Sequence, residues 1–141
     1  AGSLAIFGNS VAGRVSDHIG RRPTLIAALL LNCAATVTFY NSAGWILPVA
    51  WIGTLFGYFA VEVIVNAISG ELFPTSCRST ASTLRAAVAM AAAVAGLAVE
   101  GKLYELLGSH AQALTLMSLS SLLAIPVVVF LLRETSHAEL G

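Results

Sequence analysis

The stretch "WILPVAWIGTLFGYFAVEVIVNAIS", Trp45 to Ser69, holds a single formal charge, Glu62. A membrane-spanning helix needs about 20 mostly apolar residues, and this run is long enough. Working outward, the same pattern recurs. Thr24–Tyr40 is slightly shorter but apolar throughout, and Ser82–Leu107 and Ala111–Leu132 each reach the required length. Residues 1–12 read as the end of a further helix. A soluble bundle would show a polar stripe along each helix, and these segments mostly lack one. The expected fold is therefore all-α: a polytopic transmembrane helix bundle over 1–141, with spans 1–12 (partial), 24–40, 45–69, 82–107 and 111–132 and a tail at 133–141.

Composition agrees. The chain is 57% hydrophobic and 10% charged, with a mean hydropathy of +0.87. Soluble domains average about a quarter charged residues, so lipid must cover much of this surface. Net charge is zero and no basic tract occurs, which gives nucleic acid nothing to bind. Cys33 lies in an apolar run and Cys77 in a polar segment, with no metal-ligand spacing, so both are expected as free thiols. His18, His110 and His137 fall far apart in the topology, and no metal site is expected. No nucleophile with a matched base and no phosphate-cradling glycine loop is present, so neither an enzyme nor a cofactor is expected. The chain lacks an initiating Met and opens within "AGSLAIFG", without the basic lead of a signal peptide. A fragment with its upstream part missing is the expectation.

The connections set an orientation. Asn41–Gly44 and Gly108–His110 are tight turns, whereas segments 13–22 and 70–81 are longer and polar. Arg14, Arg21, Arg22, Arg78, Arg85 and Arg133 fall on one side and Lys102 on the other, which accounts for all 7 Lys and Arg. Positive residues stay in the cytoplasm. Loops 13–22 and 70–81 and the tail are therefore expected there, most naturally beneath the plasma membrane.

With segment 13–23 placed between two spans, its spacing becomes legible. Gly13, Asp17, Gly20, Arg21 and Arg22 fit G-x-x-x-D-x-x-G-R-R, and Pro23 follows. This resembles the signature loop of the major facilitator superfamily, found between helices two and three and again, weaker, between helices eight and nine. "SGELFPTSCRSTAS", Ser69–Ser82, is similar to the loop between helices ten and eleven of sugar-porter and organic-ion members, with Glu71, Pro74, Thr75 and Arg78 in an E-x-x-P-T-x-x-R pattern. "RETSHAEL", Arg133–Leu140, resembles the P-E-T-K-G tail after helix twelve, with arginine in place of its proline and no glycine. The resemblance implies the C-terminal half of such a transporter, from the end of helix eight to helix twelve. An N-terminal-half placement, helices two to six, fits the tail less well.

The resemblance also implies a conformational gate of charged residues that forms in one state and breaks as the halves rock. Its members here would be Gly13, Asp17, Gly20, Arg21, Arg22, Glu71 and Arg78. The glycines permit tight turning and close helix approach. Asp17 suits the positive end of another helix, and the arginines offer planar forks for carboxylates. The alternative is that the arginines only set topology and meet lipid headgroups.

Ionisable residues within a span are functional candidates. Trp51, Leu55, Tyr58, Glu62 and Asn66 recur at helical steps and share one face, as a wall of a solute cavity would. Glu62 is suited to hold a proton, a cation or a cationic solute; Trp51, Tyr58 and Asn66 are the other binding candidates. The alternative is a structural hydrogen bond from Glu62, with the aromatics simply packing. Glu100, Lys102 and Glu105 read as an interfacial charge cluster, and Asn32 as an interhelical bond. Gly53 and Gly57 form G-x-x-x-G, a close-packing face, and the alanine-rich run Ala86–Gly96 predicts another close crossing.

The expected function is secondary transport of a small organic solute or ion by alternating access, with protons as a candidate coupling ion. The expected partners are the solute, the lipid bilayer and the missing N-terminal half. The rival is a non-transporting membrane sensor, or a truncated subunit, on the same fold.

Overall fold

The computed structural model describes the backbone of residues 2–131 and the side chains of residues 10–130. The tail 133–141, with Arg133 and His137, lies outside the described residues. Helices α1 (Gly2–Ile19), α2 (Arg21–Asn41), α3 (Ile46–Leu72) and α4 (Arg78–Leu107) are followed by α5 (His110–Ser120), a 3₁₀ turn (Ser121–Leu123) and α6 (Ala124–Leu131). There is no strand among the described residues. Four helical stretches are long and apolar enough to cross a membrane: α2, α3, α4 and the composite His110–Phe130. The protein is a transmembrane helix bundle.

The helices outrun their apolar cores. The segment 13–22, read as a loop, is helical up to Ile19, and the break is confined to Gly20. Segment 70–81 contracts to a five-residue link between Leu72 and Arg78. Apolarity marks the layer that meets lipid, whereas a helix continues into polar sequence wherever long charged side chains reach water from its ends. One consequence matters for the site: α4 begins at Arg78, so Arg85 stands two turns into the helix, whose backbone fixes it on the side that meets α3.

Gly20 earns its place by conformation. Its φ of 114° and ψ of 154° are open to glycine and strained for other residues. Around it the Gly20 amide donates to Ser16 O at 3.1 Å, and the Thr24 hydroxyl donates to Gly20 O at 2.8 Å. Gly20→Ala should cost about 1–3 kcal/mol, read as a lower unfolding midpoint of the detergent-purified protein. An unchanged midpoint would mean the turn can rearrange. Gly13 has no such role, contrary to expectation. It lies within α1, and a Cβ there would sit 4.0 Å from Val63 Cγ1, an ordinary contact.

Ala12, Leu25, Ala28, Ala60, Ile64, Ile68 and Val128 form the core between α1, α2, α3 and α6. Lipid tails are as apolar as leucine, so close packing of small residues must hold such helices together. Gly53 and Gly57 provide it: a Cβ on Gly57 would stand 2.8 Å from Asn32 Cα, and one on Gly53 3.1 Å from Ala35 Cβ. Asn32 supplies the interhelical bond, Nδ2 donating to Thr54 O at 3.0 Å. The alanine-rich run does not make the expected crossing. No described residue of α4 is buried, because α4 leans mainly on α5 and turns its remaining surface outward. Asn41 Nδ2 donates to Thr115 Oγ1 at 2.9 Å, and Arg22 Nη2 donates to Val129 O, so α5 and α6 line up along α2.

Candidate functional site

Two polar clusters stand out. The first gathers at the Gly20 end of the bundle. The break at Gly20 reverses the chain, which puts the last turn of α1 beside the first residue of α2. Arg21 then reaches Asp17 Oδ1 with Nη1 at 2.6 Å and Ser16 Oγ with the same nitrogen at 3.1 Å. Its other edge turns to α3: Nε and Nη2 both donate to Glu71 Oε1, at 3.0 and 2.7 Å. The Arg21 side chain is 12% exposed and the Glu71 side chain 28%, whereas Asp17 is 56% exposed. Ser16 is fully buried. One guanidinium therefore joins α1, α2 and α3, while the neighbouring Arg22 joins α2 to α6.

Of the seven residues expected in this cluster, the structure brings together Asp17, Gly20, Arg21 and Glu71, with Arg22 alongside. Gly13 lies a turn away without a required contact, and Arg78 is exposed with no ion pair among the described residues. Ser16 is the member that sequence reading passed over. It sits in an x of the motif, and only the reversal at Gly20 reveals that its hydroxyl faces Arg21.

The second cluster lies in an open cleft between α3 and α4. The inner face of α3 (Ala50, Gly57, Ala60, Ile64, Ile68) is buried on its neighbours, which turns the opposite face toward α4. There Arg85 donates from Nη2 to Asn66 Oδ1 at 2.6 Å and from Nη1 to Glu62 Oε2 at 3.4 Å. Arg85 Nε is buried with no hydrogen-bond partner among the described residues. Tyr58, Phe59, Glu62, Arg85, Ala86 and Ala89 line a cleft of about 400 Å³. A second, more apolar cleft of about 590 Å³ shares Arg85 and continues toward Phe73, Cys77, Leu84 and Val88.

Tyr58, Glu62 and Asn66 are thus brought to one place. Trp51 is not; its ring packs against Phe39 of α2 at 5.3 Å, toward the other end of α3. Arg85 is the addition, and it alters what Glu62 can do. The carboxylate is not isolated in the span but faces a guanidinium, and the cluster carries no net charge. Separately, Glu100 meets His110 Nδ1 at 2.6 Å, and His110 stacks on Tyr104 with centroids 3.9 Å apart. Glu100 thereby pairs across the α4–α5 turn. Among the described residues no group of three metal-ligating side chains occurs.

Comparison with known proteins places this arrangement. A family model of the Major Facilitator Superfamily matches residues 2–140. Solute carrier family 22 member 12 of Homo sapiens is 37% identical over 105 residues, which cover 72% of this chain and 18% of that protein. YyaJ of Bacillus subtilis (strain 168), a protein named for metabolite transport, is 37% identical over 82 residues, 55% of this chain and 18% of its own length. The chain therefore spans less than a fifth of the length of either relative.

Proposed function

The chain belongs to the Major Facilitator Superfamily, and from that premise we propose that it forms the C-terminal half of a secondary transporter for a small organic solute. The observation that carries this reading is the Glu62–Arg85–Asn66 cluster in an open cleft between two spanning helices. Charged groups are expensive at membrane depth and persist where they line a pathway. Alternating access then requires two helical halves that rock about a site between them. The partner half would face the α3–α4 cleft and cover the outward surface of α4.

The Arg21 cluster takes the role of a gate. Its bonds link three helices through one side chain, so a small relative motion breaks several of them together. Arg14, Arg21, Arg22 and Arg78 share that end of the bundle and Lys102 lies at the other, which supports a cytoplasmic placement of the gate.

The reading is tested by uptake of a solute panel into proteoliposomes holding the full-length protein, with and without an imposed proton gradient. Saturable uptake of at least one solute above protein-free vesicles is expected; none across sugars, organic acids, organic cations and amino acids would overturn it. Proton coupling is assigned to Glu62. At solute concentrations that saturate the variant, Glu62→Gln should still exchange solute but no longer accumulate it in response to the gradient. Unchanged accumulation would remove Glu62 from the coupling step.

A further inference from the structure

The transporter reading leaves the solute open, and the α3–α4 cleft narrows it. We infer that the Glu62–Arg85 pair is a dipolar recognition site for a small zwitterion of amino-acid type, its ammonium directed to Glu62 and its carboxylate to Arg85. The inference rests on the transporter reading for its physiological sense, but its geometry stands separately.

The pair is built to open. Its 3.4 Å separation is longer than the 2.6 and 2.7 Å of the pairs at Arg21. The Glu62 side chain is 41% exposed to the cleft and that of Arg85 31%. Arg85 does not depend on Glu62 for its position, because Asn66 holds it at 2.6 Å. Its Nε is covered by protein and has no hydrogen-bond partner among the described residues, so a ligand in the cleft would be met by Nη1 once Glu62 releases it. A ligand carboxylate at Nη1 would accept a charge-assisted hydrogen bond in place of the long one from Glu62.

Charge decides between ligand classes. The cleft holds one negative and one positive side chain. A monoanion on Arg85 or a monocation on Glu62 would leave an uncompensated charge where desolvation is expensive. A zwitterion separates the pair and re-pairs both halves without changing the total. Tyr58 and Phe59 stand edge to face at 5.4 Å beside Glu62, and aromatic faces of this kind attract a cation. The apolar cleft that begins at Arg85 and runs past Phe73, Leu84 and Val88 would take an apolar side group.

The test uses matched ligands on the full-length protein in lipid nanodiscs, with binding followed by titration calorimetry. One set is L-leucine, the same acid without its amino group, and the same amine without its carboxyl; the second set is built likewise on L-phenylalanine. In at least one set the zwitterion should bind about tenfold or more tightly than either single-charge analogue. Arg85→Gln should bring the zwitterion down to the level of the amine, and Glu62→Gln down to the level of the acid. The double variant Glu62→Arg with Arg85→Glu, which keeps a pair, should retain the preference and guards against loss through misfolding. Tighter binding of the acid would make this an anion site, and tighter binding of the amine a cation site; either overturns the inference, as does no binding by any of the six. Uptake of another solute class without zwitterion binding would sink this inference and leave the transporter reading intact. Zwitterion binding without uptake would do the reverse.

Discussion

Gly57→Ala should destabilise the bundle by about 2–3 kcal/mol, an unusual penalty for adding one methyl group. A Cβ at this position would stand 2.8 Å from both Cα and Cβ of Asn32 and 2.9 Å from its amide nitrogen. These atoms belong to or adjoin the backbone of α2, so no side chain can swing away and the helices must part. Parting them also stretches the 3.0 Å bond from Asn32 to Thr54 O and loosens the core around Ala28, Ala60 and Ile64. Three glycines give a graded internal control. Gly53→Ala meets only Ala35 Cβ, at 3.1 Å, and should cost less. Gly13→Ala meets Val63 Cγ1 at 4.0 Å and should be neutral or gain up to about 1 kcal/mol, since alanine is the better helix former. Unfolding midpoints of the three variants in one detergent check the order. If Gly57→Ala matched Gly13→Ala, the close approach of α2 and α3 would be wrong.

The spans and this crossing were legible in sequence because both rest on local composition. Long apolar runs state their own environment, and G-x-x-x-G at Gly53 and Gly57 puts two absent side chains on one helix face. The ends were not legible. Hydropathy falls ahead of Thr24 and Ser82 while the backbone stays helical from Arg21 and Arg78, so the polar segments look like loops where helices continue. The role of Arg85 was hidden as well. An arginine near the edge of a span needs no partner in sequence; only the packing of α4 on α3 shows that Arg85 meets Glu62, the one acid in the run Trp45–Ser69. The Arg21 cluster was half legible. The motif named Asp17, Arg21 and Glu71, but which acid Arg21 meets, and that Ser16 joins them, depends on the reversal at Gly20. Arg78 fitted its pattern in sequence and yet stands apart, since a motif match records spacing and not contact.

Arg21→Lys should be nearly as damaging as Arg21→Ala, and this decides between the two readings of the charged segment. If the arginines only set topology or meet headgroups, a lysine serves equally well, because orientation follows positive charge of either kind. If Arg21 joins three helices, lysine fails. It has one ammonium in place of a fork, and cannot reach Asp17 Oδ1, Ser16 Oγ and Glu71 Oε1 from two opposite edges. Breaking a well-buried pair by removing one partner costs about 3–5 kcal/mol. Asp17 is mostly exposed and contributes little, so the expected loss for Arg21→Ala is about 2–3 kcal/mol, with Arg21→Lys recovering less than half. A cycle of Arg21→Ala with Glu71→Ala should return a coupling of about 1.5–3 kcal/mol, the range for a hydrogen bond to a charged group. The bonds exist only while α1, α2 and α3 keep this arrangement, so their loss must also shift the balance between conformations. In a Cys77→Ser background, both Arg21 variants should therefore raise the reactivity of a cysteine placed at Ser16, which is fully buried beside Arg21, toward a water-soluble thiol reagent. Wild-type stability and labelling in Arg21→Lys would reduce this residue to a topology signal and end its claim to the gate.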